Sequence, residues 1–162
     1  MTRLKIWLIG ASSLLLIALD QWVKHWATQN LQPRGINDRA FIPGFLRLTY
    51  VENPGAAFGF LSGFDWARWF FIIFTFIVLA GLLYYYARLP LDKKFLAIRI
   101  PLVLIFAGAV GNLIDRMRQG FVVDMFEFEF INFPIFNVAD ILLVVGCIVA
   151  GFVILFIIKD IP

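Results

Sequence analysis

Four long apolar runs separated by polar segments limit what this chain can fold into more than any other feature. They cover residues 4–26, 67–87, 96–113 and 136–158. A helix that crosses a membrane needs about 20 predominantly apolar residues, and tryptophan and tyrosine favour its ends. The runs therefore predict an α-helical integral membrane protein with four transmembrane helices in a single membrane domain, residues 1–162.

The composition excludes several other classes of protein. Hydrophobic residues make up 62% of the chain and charged residues 15%, whereas soluble domains average about 45–50% and about 25%. The net charge of +3 is modest, and the basic residues lie beside apolar blocks, so we expect no nucleic-acid partner. One cysteine and one histidine provide neither a disulfide nor a metal site of these residues, and we expect no metal.

The distribution of basic residues predicts the topology. Arg3 and Lys5 precede the apolar part of the first run, residues 6–19. No small-residue cleavage site follows it, so we interpret it as a retained helix and not a signal peptide. Seven basic residues fall on the side of the termini, against two acidic residues. These are Arg3, Lys5, Arg88, Lys93, Lys94, Arg99 and Lys159, against Asp92 and Asp160. The positive-inside rule then places both termini in the cytoplasm.

The opposite side holds two segments that favour strands. In the segment of residues 41–61, residues 45–52 partly alternate and are rich in β-formers. In the segment of residues 121–130, residues 126–130 alternate phenylalanine with glutamate. We therefore expect a small outward-facing β-sheet. Within the first segment, Asn53-Pro54-Gly55 begins a series of small residues. Gly55 either lets the backbone approach a ligand or helix closely, or belongs to an ordinary tight turn.

Four acids are predicted to lie at the outer membrane level: Asp20, Asp115, Asp124 and Asp140. The first two have a basic neighbour. Lys24 follows Asp20 at i+4 on one helical face, and Arg116 follows Asp115 directly. Asn112, at i−3 from Asp115, shares its helical face. We interpret both acids as ionised supports. The pair of Asp20 and Lys24 is either an interfacial ion pair or a buried support for a site.

Asp124 and Asp140 have apolar neighbours and no adjacent basic residue. Two carboxylates that meet in apolar surroundings cannot both be charged easily, so one retains a proton. Such a pair activates a water for attack on a peptide carbonyl and stabilises the oxyanion that forms. Asn137, at i−3 from Asp140, is placed to orient the acid or the substrate. The alternative is that Asp140 only caps a helix.

Five sequence blocks resemble the signature blocks of the bacterial lipoprotein signal peptidases, the signal peptidase II family. They occur in the family's order and cover nearly the whole chain. The blocks are Asp20-Gln21 with Lys24, Asn53-Pro54-Gly55-Ala56-Ala57-Phe58, Gly108-Ala109-Val110-Gly111-Asn112-Leu113-Ile114-Asp115-Arg116, Val122-Val123-Asp124 and Phe136-Asn137-Val138-Ala139-Asp140.

The resemblance implies a multi-pass aspartic endopeptidase of the bacterial inner membrane, with four helices, an outward-facing β-cradle and an active site on the extracytoplasmic side. Such enzymes cut prolipoproteins before a cysteine that carries a diacylglyceryl group. Asp124 and Asp140 would be the catalytic dyad. The implied residues that bind substrate or support the site are Asp20, Lys24, Asn53, Gly55, Asn112, Asp115, Arg116 and Asn137.

The implied partners are lipidated prolipoproteins and membrane lipids, and we expect a monomer that needs no cofactor. Two other classes of protein stay open at this point. Acids within membrane segments also serve as proton relays in transporters, although these acids lie at helix ends and no inverted repeat is visible. A non-catalytic membrane protein that binds lipidated peptides is the second alternative.

Overall fold

Four helices and a small sheet make up this computed structural model, which describes residues 2–55, 61, 63–64 and 66–157. All four helices are long and apolar enough to cross a membrane, which confirms the predicted fold class. The helices are α1 (Arg3–Leu31), α2 (Ala67–Arg88), α3 (Leu96–Arg118) and α4 (Val138–Phe152), the last continued by a π-helical turn (Val153–Ile157). The strands are β1 (Arg39–Ile42), β2 (Leu46–Asn53) and β3 (Val122–Phe128).

Helix α3 is the centre of the bundle. The other three helices pack on it. In its most apolar 18-residue stretch 61% of the residues are buried, against 11–17% in the corresponding stretches of the other helices. The face towards α1 and α4 carries Gly108 and Gly111. A Cβ at Gly108 would meet the carbonyl oxygen of Ala139, and one at Gly111 would meet the Asp20 carboxylate. Small residues therefore bring the three backbones together beside the acids.

Two helices extend further than predicted. Helix α1 continues to Leu31, beyond the predicted limit of 26, and Pro33 follows shortly after, where it disfavours helix in the preceding residue. Helix α3 continues to Arg118, beyond the predicted limit of 113. Asn112, Asp115 and Arg116 therefore all lie on this regular helix.

One of the seven basic residues assigned to the side of the termini, Arg99, lies inside the bundle. Arg99 is on the first turns of α3 and only 2% exposed. It donates hydrogen bonds to the carbonyl oxygens of Tyr86 and Leu89, at 3.0 and 2.8 Å. These carbonyls lie at the C-terminus of α2, where helices leave acceptors unsatisfied and favour positive charge. Arg99 therefore joins α2 to α3.

The three strands form one antiparallel sheet in the order β1-β2-β3. Its inner face packs on the end of α1, in a core that includes Ala27, Leu31, Tyr50 and Met125. The register between β2 and β3 shifts between Leu48 and Val51. The sheet thus covers the end of the bundle at which α3 ends and α4 begins. Residues 56–60, together with Lys159 and Asp160, lie outside the described part of the chain.

Candidate active site

Asp124 and Asp140 come from different elements and line the same cavity of about 610 Å³. Asp124 is on β3, and Asp140 is on the first turn of α4. The other polar side chains of the lining are Asn53, Asn112 and Arg116 together with Thr75 of α2, and the remaining walls are largely apolar. The structure therefore brings together the two acids that have no adjacent basic residue in the sequence.

Asp124 is almost completely buried, with 2% of its surface exposed. The Asn53 side chain donates to its Oδ2 at 2.9 Å, and the Asn137 side chain donates to its Oδ1 at 2.6 Å. Burial raises the pKa of Asp124 to about 7, and the negative charge of Asp140 adds to the rise. A carboxyl group in this environment carries its proton for much of the time near neutral pH.

Asp140 is half-buried and takes part in a capping box at the N-terminus of α4. The Asn137 side chain accepts from the Asp140 backbone N–H at 2.9 Å, and Asp140 Oδ2 accepts from the Asn137 backbone N–H at 3.1 Å. Asp140 Oδ1 accepts from the Asn112 side chain at 2.8 Å. The capping role is therefore present, but it leaves the second carboxylate oxygen facing Asn112 and the cavity.

A buried lysine connects the acids behind the cavity. Lys24 Nζ lies 3.0 Å from both Asp20 Oδ2 and Asp115 Oδ2, and it donates to Asn112 Oδ1 at 2.8 Å. Asp20 also accepts from the Ala139 backbone N–H at 2.9 Å. The predicted pair of Asp20 and Lys24 is therefore a buried support, and not an interfacial ion pair. It ties α1 to α3 and to the start of α4.

The predicted partner of Asp115 was wrong. Asp115 pairs with Lys24 of α1 and also accepts from the Val123 backbone N–H at 3.2 Å. Arg116 instead donates to the Gly55 carbonyl at 2.8 Å and stacks over Phe71, 4.9 Å from the ring centroid. Adjacent residues of a helix point in different directions, so neighbours in sequence make poor ion pairs.

Gly55 belongs to a tight turn whose backbone contacts the wall of the site. Its N–H donates to Asn53 Oδ1 at 3.0 Å, and its carbonyl accepts from Arg116. The turn therefore fixes the Asn53 side chain, which in turn contacts Asp124. The continuation of this motif, Ala56, Ala57 and Phe58, lies outside the described residues.

Sequence reasoning missed most of the apolar wall. Part of it comes from α2, through Phe74 and Val78, and part from a group of phenylalanines, Phe128, Phe133 and Phe136. Phe128 lies at the centre of this group, with ring centroids 5.1 Å from Phe136 and 5.6 Å from Phe133. The alternation of β3 indicated that Phe128 lies on an apolar face. No signal in α2 distinguishes its cavity face from its lipid face.

The arrangement suits acid–base chemistry on a substrate with apolar parts. In the structure, each of the four oxygens of Asp124 and Asp140 accepts one N–H bond. Oriented carboxyls of this kind bind and activate a water. Within the described ranges, no group of three or more His, Cys, Asp or Glu is placed to hold a metal ion.

Comparisons with known proteins agree on one family. Residues 12–157 match the family described as signal peptidase (SPase) II. The lipoprotein signal peptidase of Lactococcus lactis subsp. lactis (strain IL1403) is 50% identical over 141 residues, which cover 87% of this chain and 85% of the relative. The lipoprotein signal peptidase of Enterococcus faecalis (strain ATCC 700802 / V583) is 45% identical over 150 residues, covering 91% and 87%.

Solved structures show the same architecture. One bacterial membrane enzyme is 34% identical to this chain with a TM-score of 0.75, covering 97% of this chain and 94% of that one. A second is 32% identical with a TM-score of 0.75, covering 98% and 94%. The likeness therefore extends over nearly the whole chain.

Proposed function

The chain belongs to the signal peptidase II family, and on that premise we propose that Asp124 and Asp140 are the catalytic pair with which it cuts prolipoproteins before a diacylglyceryl-modified cysteine. The family consists of membrane peptidases of lipoprotein processing, which favours a hydrolase over a transporter or a lipopeptide-binding protein. The observation that carries the proposal is the shared cavity of the two acids.

The two acids have different surroundings, and we assign them different roles. Asp124, with its pKa raised to about 7 by burial and by the charge of Asp140, is the proton donor. Asp140 lies on the first turn of α4 and accepts two N–H bonds. It is half-buried, whereas Asp124 is 2% exposed, so Asp140 is the more accessible of the two to an attacking water. Asp140 is therefore the general base.

The reaction follows from these roles. Asp140 removes a proton from a water, whose oxygen attacks the scissile carbonyl carbon. Protonated Asp124 donates its proton to the carbonyl oxygen as the tetrahedral intermediate forms. On collapse, the C–N bond breaks, the carbonyl re-forms and returns its proton to Asp124, and the proton on Asp140 passes to the leaving amine. Both acids then have their starting protonation.

The cavity walls support a substrate that carries acyl chains. Its sides come from α2 through Phe74 and Val78, and from α4 through Ile141 and Val144. These two helices each pack on α3, and both present apolar surfaces along their lengths. A lipidated substrate that diffuses within the bilayer therefore reaches the acids along apolar side chains. Water enters a site of this kind less readily, which strengthens its electrostatic interactions.

The orientation in the membrane is part of the proposal. We place the acids at the extracytoplasmic surface, because Arg88, Lys93 and Lys94 lie at the opposite end of the bundle, where the positive-inside rule expects the cytoplasm. A single cysteine at Asp38, in a variant without Cys147, should react with a membrane-impermeant maleimide in intact cells. A cysteine at Lys93 should react only after the cells are opened, and the reverse pattern contradicts the orientation.

Cleavage of defined peptides tests the substrate. Purified protein in lipid–detergent micelles is given a prolipoprotein peptide with a diacylglyceryl cysteine, and the same peptide without the lipid. Mass spectrometry should detect cleavage at the bond before the cysteine in the lipidated peptide only. Glu129→Gln, which alters an exposed acid beside the sheet, is the active control. Equal cleavage of both peptides, or cleavage at another bond, contradicts the proposed specificity.

A further inference from the structure

We propose that Lys24 is a positioning residue for this reaction, because it fixes the direction of the Asn112 side-chain amide and thereby directs an N–H donor at Asp140. The inference rests on the proposed function of the two acids. It adds a role for a residue that does not line the cavity and that acts through a neighbour.

The hydrogen-bonding capacity of each group determines the direction of the amide. A lysine ammonium only donates, so the atom that faces Lys24 Nζ at 2.8 Å must be the oxygen of Asn112. The amide nitrogen of Asn112 then faces Asp140 Oδ1 at 2.8 Å. If the amide were reversed, its NH₂ group would face the ammonium and its oxygen would face a carboxylate. Both contacts would be repulsive.

The same arrangement holds the other two asparagines. The Asn137 oxygen accepts from the Asp140 backbone N–H, so its nitrogen faces Asp124. The Asn53 oxygen accepts from the Gly55 backbone N–H, so its nitrogen also faces Asp124. In both cases a backbone N–H, which only donates, orients the amide. Asn112 is the member of this set whose orienting donor is a side chain of a different helix.

Asn137 gives Asn112 only secondary support. Its side-chain nitrogen donates to Asn112 Oδ1 at 3.1 Å, longer than the 2.8 Å bond from Lys24. The same nitrogen makes its shorter bond, 2.6 Å, to Asp124. Without Lys24, only this longer and shared bond from Asn137 holds the Asn112 oxygen in place. The amide nitrogen of Asn112 would then be less firmly directed at Asp140, and its bond to Asp140 Oδ1 would weaken.

The charged groups around Asp140 explain why this donor matters. Asp124 from β3 and Arg116 from α3 line the same cavity as Asp140. Asp20 and Asp115 lie behind Asn112, where Lys24 binds both. Because Lys24 is only 3% exposed, it does not meet the substrate. Its loss should therefore reduce kcat and leave KM nearly unchanged.

A matched pair of substitutions separates hydrogen-bond donation from charge. The side chains introduced by Lys24→Gln and Lys24→Met are both neutral, and they are equal to each other in length. All three partners of Lys24 are acceptors, so glutamine presents its NH₂ group and methionine presents no donor. We expect Lys24→Met to lower kcat by a further tenfold to about a hundredfold relative to Lys24→Gln, the effect of one hydrogen bond to a charged group. In an Asn112→Ala background this difference should disappear.

The alternative outcomes are distinct. Equal kcat values for the two folded variants would overturn the inference, because charge alone would then explain the effect of Lys24. A change in KM as large as the change in kcat would also overturn it. Should neither variant fold, Asn112→Asp keeps the acceptors for Lys24 and Asn137 but removes the donor to Asp140. We expect it to lose at least a hundredfold in kcat while remaining folded, and full activity would contradict the role of this donor.

The result is also distinguishable from a failure of the proposed function. If Asp124→Asn retains full activity, the catalytic pair is wrong, whatever Lys24 does. If Asp124→Asn is inactive while Lys24→Met and Lys24→Gln behave alike, the pair stands and only the positioning role fails.

Discussion

The pH dependence of stability tests the environment of Asp124 directly. Burial, with a further contribution from the charge of Asp140, raises the pKa of Asp124 from 3.8 to about 7. Between these values, the unfolded chain has lost a proton that the folded protein still holds. The folded state therefore loses stability as the pH rises from 3.8 to about 7, and the loss is complete above the folded pKa.

The size of this loss follows from the pKa values. A rise from 3.8 to about 7 corresponds to about 4 kcal/mol, since each pH unit is worth about 1.4 kcal/mol. For a chain of 162 residues, that is a fall of roughly 10 °C in the midpoint of thermal unfolding. The folded protein thus keeps the proton of Asp124 to a higher pH than the unfolded chain does. The proposed role of Asp124 as the proton donor requires this.

Asp124→Asn removes this titration. An asparagine faces the NH₂ groups of Asn53 and Asn137, one of which then lacks an acceptor, at a cost of about 1–3 kcal/mol that does not vary with pH. We therefore expect the variant to be less stable than the parent protein near pH 4, and to gain on it by about 4 kcal/mol by pH 8. Thermal unfolding in one detergent across this pH range measures the gain.

Two further variants complete the test. Glu129→Gln alters an exposed acid and should follow the parent protein at every pH. Asp140→Asn removes the like charge but leaves Asp124 buried, so the pKa of Asp124 should fall part of the way and the pH dependence should be intermediate. If Asp124→Asn and the parent protein show the same pH dependence, Asp124 does not retain its proton, and the assignment of roles within the pair fails.

Other predictions concern the supports of the site. Asp115→Ala should lower both stability and activity, because it removes the acceptor of the Val123 N–H and one of the two carboxylates that Lys24 binds. A buried donor without an acceptor costs about 1–3 kcal/mol, and a variant that unfolds at the same temperature as the parent protein would contradict this supporting role. Gly108→Ala should destabilise the protein by about 1–3 kcal/mol or more, because the added Cβ meets the Ala139 carbonyl. Gly81→Ala is the control, because a Cβ there has no neighbour within 4 Å, and it should be neutral or stabilise α2 by up to about 1 kcal/mol. If thermal unfolding shows equal effects for Gly108→Ala and Gly81→Ala, the close contact between α3 and α4 is contradicted.

The sequence predicted features that depend on local spacing. The apolar runs predicted the number of helices, and the i, i+4 spacing predicted the pair of Asp20 and Lys24, which lies 3.0 Å apart. The i−3 spacing of Asn137 and Asp140 predicted an orienting contact, which is present as a capping box. In each case both partners lie on one element, so the geometry of that element fixes their distance.

Contacts between elements were beyond such reasoning. The partner of Asp115 is Lys24, 91 positions earlier in the chain, and only the packing of α1 on α3 brings the two together. Sequence proximity pointed to Arg116, which faces the turn at Gly55. The register shift between β2 and β3 near Val51 and Asp124 also has no local signal, because it depends on how both strands meet the helices.

The most direct test of the central claim is the turnover of Asp124→Asn and Asp140→Asn on a lipidated prolipoprotein peptide, with folding verified by thermal unfolding. General acid–base catalysis contributes roughly 10²–10⁴-fold to a rate, so each variant should lose at least about a hundredfold in kcat. The kcat of the double variant should be about that of the less active single variant, because the two acids act as a unit. Turnover of either folded single variant at the rate of the parent protein would contradict the account.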